Sequence, residues 1–185
     1  MFGPEIIGEK ARLAPIEDWM AEPFFSWINS PEINRYRPAP PVESLEAEQE
    51  WIKRTRTSES DIVWAIFCRE DNELIGSMGL HSYRPQFQRA VSGTLIGRKE
   101  YWGRGIGTEI VRLRTQYAFD ALNLRKLVSE VISENNPSLR MLLRVGYHVI
   151  GLHRDHFLVE GRWVNEYLLE CMREDWEKAR MLNGW

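Results

Sequence analysis

Tyr101-Trp102-Gly103-Arg104-Gly105-Ile106-Gly107-Thr108-Glu109 decides how this chain is read. Three glycines at alternate positions lead into an amphipathic run. Ile106, Ile110, Leu113 and Tyr117 fall on one stripe, at spacings of four, three and four. That period is helical and predicts a helix running to about Phe119. A glycine-rich turn entering a helix leaves backbone N–H groups without partners, and the aligned peptide dipoles add partial positive charge at the same place. This is the chemistry of a phosphate or pyrophosphate site. Glycine suits it because a Cβ would hold a phosphate away from the amides. A Gly-x-Gly turn also precedes helices with no ligand, so the rest of the chain has to decide.

Two familiar phosphate loops are excluded by spacing. The dinucleotide fingerprint is Gly-x-Gly-x-x-Gly, and neither Thr108 nor Ile110 supplies its third glycine. The P-loop ends in Gly-Lys-Ser/Thr, which does not occur here.

Around this loop the chain reads as alternating helices and strands. Glu5 to Ala14 reads as a first strand. Glu17 to Asn29 reads as a helix that Pro23 kinks or splits. Ser30 to Pro41 is a proline-rich loop carrying Arg35, Tyr36 and Arg37. Ser44 caps a helix to about Thr57, with Leu45, Trp51 and Ile52 facing inward. Asp61 to Cys68, Leu74 to His81 and Ala90 to Ile96 read as strands, the first two joined at Asp71-Asn72. Gly93 and Gly97 mark a bulge or a close ligand approach. Lys126 to Ile132 is another strand, so strand–helix–strand around the glycine loop implies a parallel crossover. Asn135-Asn136-Pro137-Ser138 opens a helix that ends near Gly146. Tyr147 to Phe157 and Trp163 to Arg173 form a hairpin turned at Glu160-Gly161. The result is a mixed α/β chain read as a single domain over residues 1–185.

Bulk properties narrow the partners. With 43% hydrophobic and 28% charged residues, the chain is an ordinary globular one. A net charge of −3 argues against a nucleic-acid groove or an anionic membrane as main partner and suits a cationic acceptor. Cys68 and Cys171 lie in apolar strands and read as buried free thiols in a reducing compartment. Met1-Phe2-Gly3-Pro4-Glu5 has no basic n-region, and no apolar run reaches spanning length, so a cytoplasmic protein is expected. His153 and His156, three apart on a strand, should face opposite ways, and no metal site is expected. Trp19, Trp27, Trp51 and Trp64 read as packing residues.

The loop resembles the CoA-pyrophosphate loop of the GNAT superfamily of N-acyltransferases, Gln/Arg-x-x-Gly-x-Gly/Ala, with Trp102 at the leading position. A second stretch carries the likeness further: Val131-Ile132-Ser133-Glu134-Asn135-Asn136-Pro137-Ser138-Leu139-Arg140, then Arg144-Val145-Gly146-Tyr147. In that superfamily a strand ends in Asn-x-x-Ser, a short helix follows, and Gly-Phe or Gly-Tyr starts the next strand. Gly161-Arg162-Trp163-Val164-Asn165-Glu166-Tyr167 is similar to the final hairpin of one branch, with Asn165 where Asp is usual. That branch contains the ribosomal-protein N-terminal acetyltransferases and the spermidine acetyltransferases.

The resemblance implies a central mixed sheet with two splayed strands, flanked by helices, and acetyl-CoA as donor to an amine. The pantetheine would pair with the open edge at Leu95, Ile96 and Gly97, mainly through backbone. The pyrophosphate would lie on Trp102, Gly103, Arg104, Gly105, Ile106, Gly107 and Thr108, with Arg104 adding charge or standing as a solvated arginine. Asn135 bonds either the pantetheine or its own turn. Many members place an acidic Tyr where this chain has Leu142. Ser138 is the substitute acid, or else a helix-start residue, and Glu130 is the candidate base. Tyr36 is the candidate acceptor contact. The acceptor is read as a protein or peptide α-amine. A polyamine or other small amine, and a non-catalytic CoA-binding module, are the alternatives. A homodimer would suit relatives of this kind.

Overall fold

A computed structural model describes residues 3–37 and 40–185; Pro38 and Ala39 of the expected proline-rich loop lie outside the described residues. In chain order the strands and helices are β1 (Ile6–Ile7), β2 (Ala11–Pro15), α1 (Ala21–Ile28), α2 (Pro31–Asn34), α3 (Leu45–Thr57), β3 (Ile62–Cys68), β4 (Leu74–Arg84) and β5 (Arg89–Ile96). They continue with α4 (Ile106–Gln116), β6 (Lys126–Ile132), α5 (Asn136–Arg144), β7 (His148–Val159), β8 (Arg162–Met172) and α6 (Arg173–Asn183). The strands form one sheet in the order β1-β2-β3-β4-β5-β6-β8-β7. Its only parallel pair among the described residues is β5 with β6, as the crossover reading requires.

β3 shows why helices cover both faces. All seven of its residues are buried. Strand alternation sends Ile62, Trp64, Ile66 and Cys68 into a cluster with Ile106, Ile110 and Val111 of α4, Leu142 of α5 and Trp176 of α6. Val63, Ala65 and Phe67 go the other way, to Ala21 and Phe24 of α1 and Ile52 of α3. The predicted α4 stripe faces inward: Ile106, Ile110 and Leu113 are buried, and Tyr117 meets Trp64 edge-on at 5.3 Å. Ser44 caps α3, its Oγ accepting from the Ala47 N–H at 3.2 Å. Asn135 caps α5 through Oδ1, which accepts from the Ser138 N–H at 3.2 Å. Glu160 (φ 50°) and Gly161 (φ 76°) turn the β7–β8 hairpin through two left-handed residues.

Several expectations give way to the structure. The first strand is a tight hairpin, closed by the Gly8 N–H to the Ala11 carbonyl at 2.8 Å. The first helix splits at Met20, after a short 3-10 turn, and Pro23 sits in the opening turn of α1, where its missing N–H costs nothing. Ser30–Pro41 contains the short helix α2 rather than loop alone. Trp19 is 56% exposed and not core, whereas Trp64 is fully buried. Gly93 pairs with Gly79 in unbroken register, so there is no bulge at that point. Gly97 is required because a Cβ would collide with the Trp27 indole of α1. Cys68 and Cys171 are buried free thiols, and burial pushes Cys171 up to about 12.

Glu109 ties the sequence-distant β1–β2 turn to the start of α4. Its carboxylate accepts three backbone N–H groups, from Glu9 (2.6 Å), Lys10 (2.9 Å) and Ala11 (3.0 Å). Hydrogen bonds to a charged acceptor are the stronger kind. Glu109→Ala is expected to lower unfolding free energy by about 2–4 kcal/mol, read as a shifted urea midpoint at constant slope. An unmoved midpoint would show that water replaces the carboxylate at no cost.

Candidate active site

The site begins where β5 and β6 part. Their ladder pairs Arg89 with Lys126, Ala90 with Leu127 and Val91 with Val128, and then stops. Both strands continue, to Ile96 and Ile132. Beyond the last pair, side chains take over carbonyls of the diverging strands. Ser129 Oγ donates to the Ser92 carbonyl and Ser92 Oγ to the Val128 carbonyl, each at 3.1 Å. Arg114 on α4 donates to the Gly93 carbonyl at 2.6 Å and to Thr94 Oγ1 at 2.8 Å. Trp102 Nε1 donates to the Ile96 carbonyl at 2.9 Å.

Arg114 was not legible as a site residue. It is 1% exposed, and no carboxylate pairs with it among the described residues. Burial lowers its pKa, against a favourable interaction with Tyr147. Tyr147 OH lies 3.0 Å from Ser92 Oγ, so the buried cation sits in a polar strip directly beneath the parted strands.

The glycine loop fits a diphosphate. Gly103 (φ 73°) and Gly105 (φ 81°) are left-handed, and a Cβ on Gly103 would meet nothing within 4 Å. Gly105 opens α4 with no side-chain cap. The amides of Ile106, Gly107 and Thr108 therefore face the loop, with the helix dipole behind them. A Cβ on Gly107 would press on Met141 Sδ at 2.8 Å, so that glycine serves packing between α4 and α5. The nearest cation is Lys10, whose Nζ donates to the Arg104 carbonyl at 3.0 Å. Arg104 itself pairs with Glu70 and covers the Tyr101 ring. Lys10, Arg69, Glu70 and Arg104 line a cavity of about 460 Å³ beside the loop. Lys10, on the chain's first hairpin, carried no signal in the sequence.

The remaining candidates divide between the two faces. Ser138 lies in the first turn of α5. Asn135 provides the cap there, and the Ser138 hydroxyl makes no hydrogen bond among the described residues. Leu142, at the Tyr position, is buried in the core. Leu95 and Ile96 are half-buried. Tyr36 follows α2 under the Arg35 guanidinium, and α2 is tied to the turn after β5 by the Glu32–Lys99 ion pair.

Glu130 is exposed on β6, on the opposite face from the core residues Leu127 and Val131. On that same face β8 places Glu166, which pairs with Ile132, two residues along β6 from Glu130. Glu166 is pushed up by burial and by Glu130, an effect His156 and His153 offset. The imidazole of His81, also unforeseen, covers this face of β4 and β5. A Cβ on Gly79 would meet its Nε2 at 2.6 Å, and one on Gly93 at 3.7 Å. Its Nδ1 lies 3.2 Å from Asp61, which also accepts from Ser58 Oγ (2.8 Å) and Ser60 Oγ (3.2 Å). Burial alone would raise the Asp61 carboxyl, but these hydrogen bonds hold it below its usual value. Nε2 is thus aimed over the sheet by a fixed carboxylate.

The family described as acetyltransferase (GNAT) domain matches residues 11–148. The chain belongs to that family. It is an acetyl-CoA-dependent N-acetyltransferase. This acetyltransferase is 29% identical over 161 residues to the uncharacterized N-acetyltransferase YoaA of Bacillus subtilis, covering 85% of this chain and 90% of the relative. It is 24% identical over 122 residues to the ribosomal protein uS5-alanine N-acetyltransferase of Escherichia coli, covering 65% and 62%. Its fold matches the spermidine N-acetyltransferase of Vibrio cholerae, solved with CoA and spermine, at a TM-score of 0.84 and 19% identity over 92% of this chain and 99% of that one. Among the described residues of the acetyltransferase, no helix is long and apolar enough to cross a membrane.

The loop geometry separates phosphate blocking from backbone strain. Asn tolerates the left-handed conformation of Gly105, yet adds a side chain over the amides. Gly105→Asn is expected to weaken CoA binding at least tenfold, on the order of 1.4 kcal/mol, with a thermal midpoint close to that of the parent. Calorimetric CoA affinity equal to the parent's would remove the loop from the site.

Proposed function

We propose that this acetyltransferase modifies a peptide or protein α-amine, by direct attack of the neutral amine across the parted strands. The supporting observation is the early stop of the β5–β6 ladder, which opens a slot between the glycine loop on one side and His81 and Glu130 on the other. Acetyl-CoA supplies an activated thioester. The amides of Ile106, Gly107 and Thr108, with Lys10 nearby, hold the diphosphate. The edge at Leu95, Ile96 and Gly97 receives the pantetheine. The Ile96 carbonyl already accepts the Trp102 indole N–H, and its second lone pair is left for a pantetheine N–H.

Each remaining residue has a proton or a charge to manage. The backbone N–H near Ile96 and the buried Arg114 charge favour negative charge developing on the acyl oxygen. The Ser138 hydroxyl, which makes no hydrogen bond among the described residues, relays a proton from water to the departing sulfur and regains one from that water, in the place Leu142 leaves apolar. Glu130 accepts the amine's proton through water, and His81 lies on the same face as a second acceptor. Asn135 holds the α5 turn, and Tyr36 borders the acceptor's approach. An α-amine titrates near 7.7–8.0 and is partly neutral at pH 7, so an exposed carboxylate or an imidazole is base enough. A lysine or polyamine amine, near 10.4, asks for more.

The same reading takes the whole chain as one domain. It assigns the enzyme to the cytoplasm, where the buried thiols stay reduced, and its acceptors to the ribosomal-protein type. A second reading, a polyamine acceptor, draws on the neighbouring carboxylates of Glu130 and Glu166, which attract a cation.

Thiol release decides between them, with three acceptors: a free-N-terminus peptide, the same peptide blocked but carrying a lysine, and spermidine. The free peptide alone should turn over. Turnover of spermidine alone would establish the second reading, and silence on all three would overturn both. With the working acceptor, Ser138→Ala and Glu130→Gln should each lower kcat about a hundredfold, with little change in KM for acetyl-CoA. An unchanged rate in Glu130→Gln would pass the base to His81.

A further inference from the structure

We propose that His153, His156 and Glu166 form a binding site for one divalent transition-metal ion of the zinc type. The assignment rests on side-chain geometry alone and stands whichever amine is the acceptor.

Regular strand geometry would send the two histidines to opposite faces, as the sequence suggests, but β7 is not regular there. Between the pairs His153–Glu166 and Phe157–Val164 it carries two more residues than β8. Asp155 turns left-handed at φ 49°, and its N–H is held by Asn165 Oδ1 at 2.9 Å. This locked bulge swings His156 back beside His153. The two rings lie 4.6 Å apart, centre to centre, and Phe157 meets His156 edge-on at 4.5 Å. His153 faces Glu166 directly across the β7–β8 pair, and Glu166 is only 8% exposed.

The spacing of the donor atoms suits an ion better than it suits hydrogen bonds. His153 Nδ1 stands 3.6 Å and His156 Nε2 stands 3.5 Å from Glu166 Oε2. Both exceed the N–H···O range of about 2.7–3.2 Å. Two donors on one tetrahedral zinc, with bonds of about 2.0–2.2 Å, stand about 3.4 Å apart. The three donor atoms lie within 4.8 Å of one another. Two imidazoles and one carboxylate form a donor set for zinc, copper or nickel rather than calcium or magnesium. Both histidines reach solvent, so water can complete the coordination. Glu166 belongs to the face that carries Glu130, so an ion here would also sit beside the acceptor's approach.

The test uses the full chain stripped with chelator, titrated with zinc chloride by calorimetry and with cobalt(II) by visible absorption. One equivalent of zinc should bind at micromolar strength, and cobalt should give the intense bands of a tetrahedral site. His153→Ala and His156→Ala, both at exposed positions, should each weaken zinc at least about tenfold. Glu166→Gln should do the same, with circular dichroism confirming that it folds. His148→Ala, a histidine paired with Asp175 outside the cluster, should leave binding unchanged. No saturable uptake at a hundredfold excess of zinc, or uptake indifferent to His153→Ala and His156→Ala, would overturn the assignment.

Discussion

Where β5 and β6 part, carbonyls lose their ladder partners, and Arg114 supplies a replacement at Gly93. Backbone polar groups in the interior must be paired. Leaving one unmade costs about 1–3 kcal/mol, so two neighbouring strands do not separate in a core without compensation. Here Ser92, Ser129, Trp102 and Arg114 each take a carbonyl near the divergence. The slot is therefore a built feature and not a frayed edge. Carrying a guanidinium into the core with no carboxylate beside it among the described residues is expensive in itself. That expense falls beside the Gly93 carbonyl and Thr94 Oγ1, the two acceptors that the guanidinium serves.

The slot has meaning only because the glycine loop lies at its end. Trp102 joins the two, reaching from the loop back to the last carbonyl of β5. Glu109 joins the loop's helix to the first hairpin, and that hairpin brings Lys10 to the loop. The helix that starts uncapped at the glycine loop is thus clamped at its first turn. The same helix carries Arg114 two turns further on, so the glycine loop and the divergence of the strands share one rigid element. The opposite face of the sheet carries His81, Glu130 and Glu166.

Much of this was legible because it depends on local chemistry. The glycine loop, the α4 stripe, the Ser44 cap, the Glu160-Gly161 turn and the parallel crossover each follow from residues close together in the chain. What escaped depends on partners distant in sequence. Arg114 looks like a polar position on an amphipathic helix until the strands beneath it part. Lys10 lies more than ninety residues before the loop it approaches. Gly97 reads as a bulge or a close ligand approach, and nothing in its neighbourhood announces the α1 indole that a Cβ there would meet. His153 and His156 obey the strand period until a two-residue bulge, held by Asn165, breaks it. Trp19 failed for the opposite reason, since an apolar side chain on a short first turn need not find a core.

A crystal structure of the chain with acetyl-CoA bound tests the central claim most directly. The account predicts the diphosphate on the N–H groups of Ile106, Gly107 and Thr108, and the pantetheine arm lying between β5 and β6 beyond Val91 and Val128. Nucleotide density on another surface, or strands zipped together through Ile96 and Ile132, would contradict it.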